Sequence, residues 1–132
     1  MKRKLYQSKR GDIYWAELPV LENSKIQSGW RPVLVTSNKF ATENAEVIQY
    51  MPLTTKIKRE DLPVHVVIEP SFLPKKSMIM AEQEGLIDKY RLKEKIGTLS
   101  EYDMARIDAA KIIQGGINIY SVINILKMQK RG

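Results

Sequence analysis

Between Ile13 and Ala81 the apolar residues fall in short runs separated by breakers, and this limits the fold more than any other feature. Ile13-Tyr14-Trp15-Ala16-Glu17-Leu18 has strand composition and stops at Pro19. A polar loop follows, from Glu22 to Gly29. Val33-Leu34-Val35 is a continuous apolar run after Arg31-Pro32, the pattern of a central strand. Val47 to Met51 is another, bounded by Pro52. Val64, Val66 and Ile68 alternate with His65, Val67 and Glu69, the period of a half-buried strand. Ser77 to Ala81 is short and apolar. No long helical pattern separates these runs. The spacing predicts a small antiparallel sheet or barrel, not an alternating α/β fold.

The C-terminal third reads as helix. Ser100 is placed to cap a helix, with Asp103 at the third helical position. Leu99 and Met104 stand where a hydrophobic staple would, and Met104, Ile107 and Ala110 share one face. Gly115-Gly116 is the stop. Beyond it Ile119, Val122, Ile123 and Leu126 recur at helical spacing and predict a second short helix. No repeat, low-complexity tract or linker interrupts the chain. The expectation is one domain over residues 1–132, with its core at about 9–114, a basic N-terminal tail and an extra segment at 116–132.

Several chemistries lack their residues. There is no cysteine, which removes disulfides and thiolate metal sites. His65 is the only histidine, whereas a zinc site needs three or four ligands. No acidic cluster sits at a strand end, and Asp88, Asp103 and Asp108 read as caps or helix surface. No G-x-S-x-G elbow or Walker loop is present, and Gly11-Asp12 lacks the further glycines. No metal or cofactor is expected. Met1 to Ser8 is basic with no apolar stretch behind it, so it does not read as a signal peptide. No apolar run nears the ~20 residues of a membrane helix. The cytoplasm is expected, with no membrane partner. The net charge of +7 fits either an anionic partner such as nucleic acid or a solubilising surface. Part of it sits in the tails, at Lys2, Arg3, Lys4, Lys9, Arg10, Lys127, Lys130 and Arg131, and says little about a site.

The informative constellation is Gly29-Trp30-Arg31-Pro32-Val33-Leu34-Val35 followed by Pro52-Leu53-Thr54-Thr55. Arg31 is predicted at a loop-to-strand junction and Thr54 just past another strand, where small sheets present functional groups. On spacing alone, a surface arginine and a turn threonine are the better explanation of these residues. Further segments join them in order. Arg10-Gly11-Asp12-Ile13-Tyr14-Trp15-Ala16 stands at the start, and Asn38 follows the arginine segment. Leu62-Pro63-Val64-His65-Val66, Ala81-Glu82-Gln83, Ile87-Asp88-Lys89 with Arg91-Leu92, and Met104-Ala105-Arg106-Ile107-Asp108 complete the set.

Over these segments, from about residue 10 to 113, the chain resembles the MazF/PemK family of toxin endoribonucleases, the mRNA interferases of type II toxin-antitoxin systems. The resemblance implies a small SH3-like β-barrel decorated with helices. It implies a homodimer that cuts single-stranded RNA at a short motif without metal, and a cognate antitoxin that holds it inactive. Arg31 and Thr54 take the places of the family's catalytic pair. The RNA contacts fall on the loop with Ser24, Lys25, Gln27 and Trp30, on Lys56, and on Glu82-Gln83. Ser28-Gly29-Trp30 departs from the paired glycines common before the arginine, and the segment after Gly116 exceeds the familiar end of the fold.

RNA carries its own nucleophile, the 2′-hydroxyl beside the phosphate. Arg31 suits the charge developing on the phosphoryl oxygens, because its planar fork matches them and keeps its charge. Thr54 can donate its hydroxyl to a phosphate oxygen. No residue presents itself as the general base. His65 has the suitable ordinary pKa, but its strand position assigns it to packing or surface. Lys25, Lys56, Lys58 and Arg59 flank the two junctions and would attract RNA and an acidic peptide alike. Two other functions remain: a CcdB-like topoisomerase poison, which needs no Arg-Thr pair, and a non-catalytic RNA-binding module.

Overall fold

Residues 8–131 are described by the computed structural model; the basic tail at Lys2, Arg3 and Lys4 lies outside them. β1 (Asp12–Leu18), β2 (Gly29–Val35) and β3 (Val47–Thr54) form the middle of an antiparallel sheet, with a short helix α1 (Lys39–Asn44) between β2 and β3. β4 (His65–Ile68), β5 (Ser77–Met80), β6 (Gly85–Asp88) and β7 (Leu92–Thr98) complete it. The order is β4-β5-β3-β2-β1-β7, with β6 also paired to β3. Two helices end the chain, α2 (Glu101–Gly115) and α3 (Ile119–Arg131). This is the open, barrel-like antiparallel sheet with helices that the run lengths predict.

β3 changes partners along one edge. Val47–Tyr50 pair with β6, and Leu53–Thr54 pair with β5. Pro52 sits in the gap between these two ladders, so its missing N–H is needed by neither. The proline therefore does not bound the strand, as its position in sequence predicts. It marks where β3 passes from one ladder to the other, and it leaves Thr54 as the last strand residue, not one beyond it. β2 likewise starts at Gly29, not Val33, because Gly29 to Pro32 pair with Leu18 to Trp15 of β1. Pairing to β3 begins only at Val33, so Pro32 also lacks a ladder on one side. Arg31 thus lies inside a strand. Gly29 opens it at φ +78°, a conformation in which side chains are strained.

The sheet buries residues on both faces. Ile13, Leu34, Met51, Leu53, Ile79 and Val66 pack with Leu99, Met104, Ile107 and Ala110 of the α2 region. Tyr14, Ala16, Leu18, Val33, Val35, Ile48 and Ile87 form a second cluster. Each fully buried large aliphatic side chain here contributes about 1.5–3 kcal/mol. α2 has the predicted ends: Ser100 Oγ accepts from the Asp103 N–H at 3.1 Å, and Gly116 closes the helix at φ +63°. Leu99 and Met104 are both buried, as a staple requires. α3 forms at the predicted spacing, but Ile119, Val122, Ile123 and Leu126 remain 38–55% exposed. No helix among the described residues is long and apolar enough to cross a membrane.

Candidate active site

The antiparallel pairing of β2 with β3 sets the first half of β2 beside the last residues of β3 and so brings Arg31 and Thr54 together. The Arg31 Nε–H donates to the Ser28 carbonyl at 3.0 Å, and its Nη1 donates to the Leu53 carbonyl at 3.1 Å. The guanidinium is thus fixed by two backbone oxygens, one of them in the residue before Thr54. Among the described residues, two of its five N–H groups are used in this way. Burial lowers its pKa from the ordinary value, yet an arginine keeps its charge in proteins. Thr54 Oγ1 accepts from the Lys56 N–H at 3.1 Å, which leaves the hydroxyl proton free to donate.

Both residues line one groove of about 840 Å³. Its polar lining includes Gln27, Thr55, Lys56, Lys58, His65, Lys75 and Glu82. Its apolar lining includes Trp15, Trp30, Pro32, Phe72, Leu73 and Ile96. The indoles of Trp15 and Trp30 stack with centroids 5.5 Å apart and planes 4° from parallel. Trp30 is 56% exposed, so it is a groove residue and not a core one. Among the described residues the only acid on the wall is Glu82, and His65 Nε2 lies 2.5 Å from its Oε2. The net field of the wall is therefore positive and suits a polyanion that also offers flat apolar rings.

The remaining predicted contacts divide. Gln27, Trp30, Lys56 and Glu82 reach the groove, whereas Ser24, Lys25 and Gln83 do not line it. Ser24 Oγ accepts from the Ile26 N–H at 3.1 Å and shapes its own loop. Gln83 Oε1 accepts from the Gln27 N–H at 2.7 Å, and its Nε2 donates to the Lys25 carbonyl at 3.3 Å. Gln83 thereby holds the loop that leads to Arg31. Of the four flanking cations, Lys56 and Lys58 line the groove and Lys25 does not. Arg59 is turned to Asp61, with bonds of 2.9 and 2.8 Å. His65, which its strand position assigned to packing or surface, lines the groove instead, and Trp15 and Lys75 join it without having been singled out. Cross-strand register brings two of them in, since Trp15 opposes Pro32 and His65 opposes Met80.

A family model described as PemK-like, MazF-like toxin of type II toxin-antitoxin system matches residues 9–113. The chain belongs to this family. An endoribonuclease MazF from Staphylococcus epidermidis is 38% identical over 112 residues, covering 83% of this chain and 92% of that protein. Among solved structures, MazF from Deinococcus radiodurans superposes with a TM-score of 0.72 at 19% identity, covering 83% of this chain and 97% of that one. A mycobacterial endoribonuclease in complex with its cognate antitoxin gives 0.71 at 22% identity, with 84% and 97% covered. The groove is lined by residues of β1, β2, β3, β4, β5 and β7. Helix α3 lies beyond the matched residues.

Proposed function

We propose that this chain is a cytoplasmic, metal-independent endoribonuclease toxin that cuts single-stranded RNA at a short motif by attack of the RNA 2′-hydroxyl. The observation that carries this reading is the Arg31 guanidinium, fixed beside Thr54 by the Ser28 and Leu53 carbonyls in a cationic groove. Arg31 binds the phosphoryl oxygens and offsets the charge that grows as the 2′-oxygen attacks phosphorus. Thr54 donates its hydroxyl to one of those oxygens. The 2′-hydroxyl proton passes to water, the P–O5′ bond breaks, and water protonates the departing 5′-oxygen, so the products are a 2′,3′-cyclic phosphate and a 5′-hydroxyl end. Preorganised donors of this sort are worth about 3–4 kcal/mol each in a transition state. Among the described residues no group of three or more His, Asp or Glu side chains is arranged to hold a metal ion, and the chain has no cysteine.

Lys56, Lys58 and Lys75 attract the neighbouring phosphates, and the Trp15–Trp30 stack offers a face for an unpaired base. We assign sequence choice to the segment that carries Gln27 and Trp30. Ser24, Lys25 and Gln83 contribute by holding that segment. The relative at 38% identity, an endoribonuclease by name, supports the activity. A structural neighbour solved with its cognate antitoxin supports a cognate antitoxin here; we assign an acidic antitoxin segment to the same cationic groove. The active form is a homodimer, for which light scattering should give twice the chain mass. Incubation of the purified protein with a mixed RNA should create new 5′-hydroxyl ends. RNA retention without new ends would favour a binding module, and neither result would favour a topoisomerase poison.

A further inference from the structure

His65 is held on both sides of its ring. Nδ1 lies 2.9 Å from the Arg59 carbonyl oxygen and 3.1 Å from that of Lys58. Nε2 lies 2.5 Å from Glu82 Oε2. Carbonyls and carboxylates only accept, so both ring nitrogens must carry protons to make these bonds. Its side chain is 8% exposed, and it stands on the wall that also bears Arg31 and Thr54. We propose that His65 is a positioning residue: as an imidazolium it neutralises Glu82 and ties the segment after Thr54 to the Ala81–Gln83 turn. The groove then meets RNA phosphate with its cations unopposed. This rests on the endoribonuclease reading of the same groove.

Two further observations support it. The turn is a double latch. Through Glu82 and His65 it holds residues 58–59, and through Gln83 it holds Lys25 and Gln27. The segments that border Arg31 and Thr54 are thus fixed to one three-residue 3₁₀ turn, Ala81–Gln83. The charges around the ring also decide its state. Burial opposes the imidazolium, but the bonds to Glu82 and to the Arg59 and Lys58 carbonyls outweigh it and raise the pKa above the ordinary value. Asp61, whose own pKa is lowered mainly by its hydrogen bond to Arg59, also feels the His65 charge. Opposite on β5 stands the uncharged Met80. Arg31, Lys56, Lys58 and Lys75 are like charges on the wall. Because the folded pKa is raised, the latch is complete below the ordinary histidine pKa and is lost as pH rises through the raised value.

The test is a double-mutant cycle with His65→Gln and Glu82→Gln. RNA affinity is read across pH with a random single-stranded RNA pool made uncleavable by 2′-O-methylation, and melting temperature is read alongside. In wild type, affinity should fall as pH rises through the His65 titration. His65→Gln should weaken binding about tenfold, within the range of coupled neighbours, and should abolish that pH dependence. In the Glu82→Gln background the same change should have little effect. An equal loss in both backgrounds, or a pH dependence that persists in His65→Gln, would overturn the proposal. If His65→Gln does not fold, the wild-type ring still decides, since the chain has one histidine and its NMR titration is unambiguous. A ring that titrates at or below the ordinary value contradicts the latch. A raised pKa with both nitrogens protonated, tracking the loss of RNA affinity, supports it. Cleavage of ordinary RNA is scored separately. RNA that is cut without His65–Glu82 coupling sinks this proposal alone, whereas coupling without cutting at any pH sinks the nuclease reading.

Discussion

Arg31→Ala should abolish most of the cleavage while the fold survives. The substitution removes the guanidinium proposed to bind the phosphate and also two bonds to backbone carbonyls, those of Ser28 and Leu53. A hydrogen bond to a charged group is worth about 1.5–3 kcal/mol when buried. Arg31 is only half-buried, so water can replace much of what the carbonyls lose. The net destabilisation should be about 1–2 kcal/mol, a fall of roughly 3–10 °C in melting temperature for a domain of this size. The loss of rate should be far larger, about 10²–10³, the effect of removing one preorganised donor from a developing anion. Arg31→Lys should recover little. An ammonium cannot satisfy two carbonyls and grip a phosphate with the same planar fork. Initial rates on a cut RNA, taken well below each variant's melting temperature with matched circular dichroism, separate the two effects. A folded Arg31→Ala protein that cuts within about threefold of wild type, under ~0.7 kcal/mol, would refute this assignment.

Trp30→Ala should weaken RNA binding by about 1–3 kcal/mol. Because Trp30 is 56% exposed and stacks on Trp15, melting should change by no more than the ~0.5–1.5 kcal/mol of an aromatic pair; a larger collapse in stability would return Trp30 to the core. Lys56→Glu with Lys58→Glu should flatten the salt dependence of RNA binding by about 1.4 in the log–log slope, two contacts at ~0.7 each. The same reversal at Lys25 and Arg59 should do much less, since Lys25 does not line the groove and Arg59 faces Asp61; equal slopes for the two pairs would contradict this placement. At Gly97 an added Cβ would meet the Phe72 ring at 2.5–2.7 Å. Gly97→Ala should therefore push Phe72 from the apolar wall, with about 1–3 kcal/mol of overpacking visible in thermal melts and a parallel loss of RNA affinity.

What the sequence reveals follows from how local each cause is. The cap at Ser100, the staple of Leu99 and Met104, and the stop at Gly116 depend on neighbours in the chain, and all form as read. The alternation at Val64–Ile68 is local too, and β4 buries Val66 and Ile68 as predicted. β7 was not legible because Lys93, Glu94 and Lys95 are exposed on an edge strand, where charge is common and no apolar period survives. β6 is short and has one buried residue, Ile87. α1 depends on the Asn38 cap, whose side chain accepts from the Ala41 N–H, and offers one buried residue, Thr42. Both prolines misled for one reason: a proline stops a strand only where both ladders continue, and that depends on the register of distant strands. The site divides the same way. Arg31, Trp30 and Thr54 carry local signals, and the structure brings them into one groove. His65 and Trp15 join it through cross-strand pairing, which no spacing in the chain announces.

The central claim is RNA cleavage by the RNA's own 2′-hydroxyl, without metal. It is tested most directly by incubating the purified protein with a mixed RNA in excess EDTA and mapping the new ends. The same cut sequence, carrying a single 2′-deoxy sugar at the scissile linkage, serves as the paired substrate. Cutting should be undiminished in EDTA, leave 5′-hydroxyl and 2′,3′-cyclic phosphate ends, and fail at the 2′-deoxy linkage. Activity that stops on chelation and returns with Mg²⁺, or a 2′-deoxy linkage cut as readily as RNA, would contradict it.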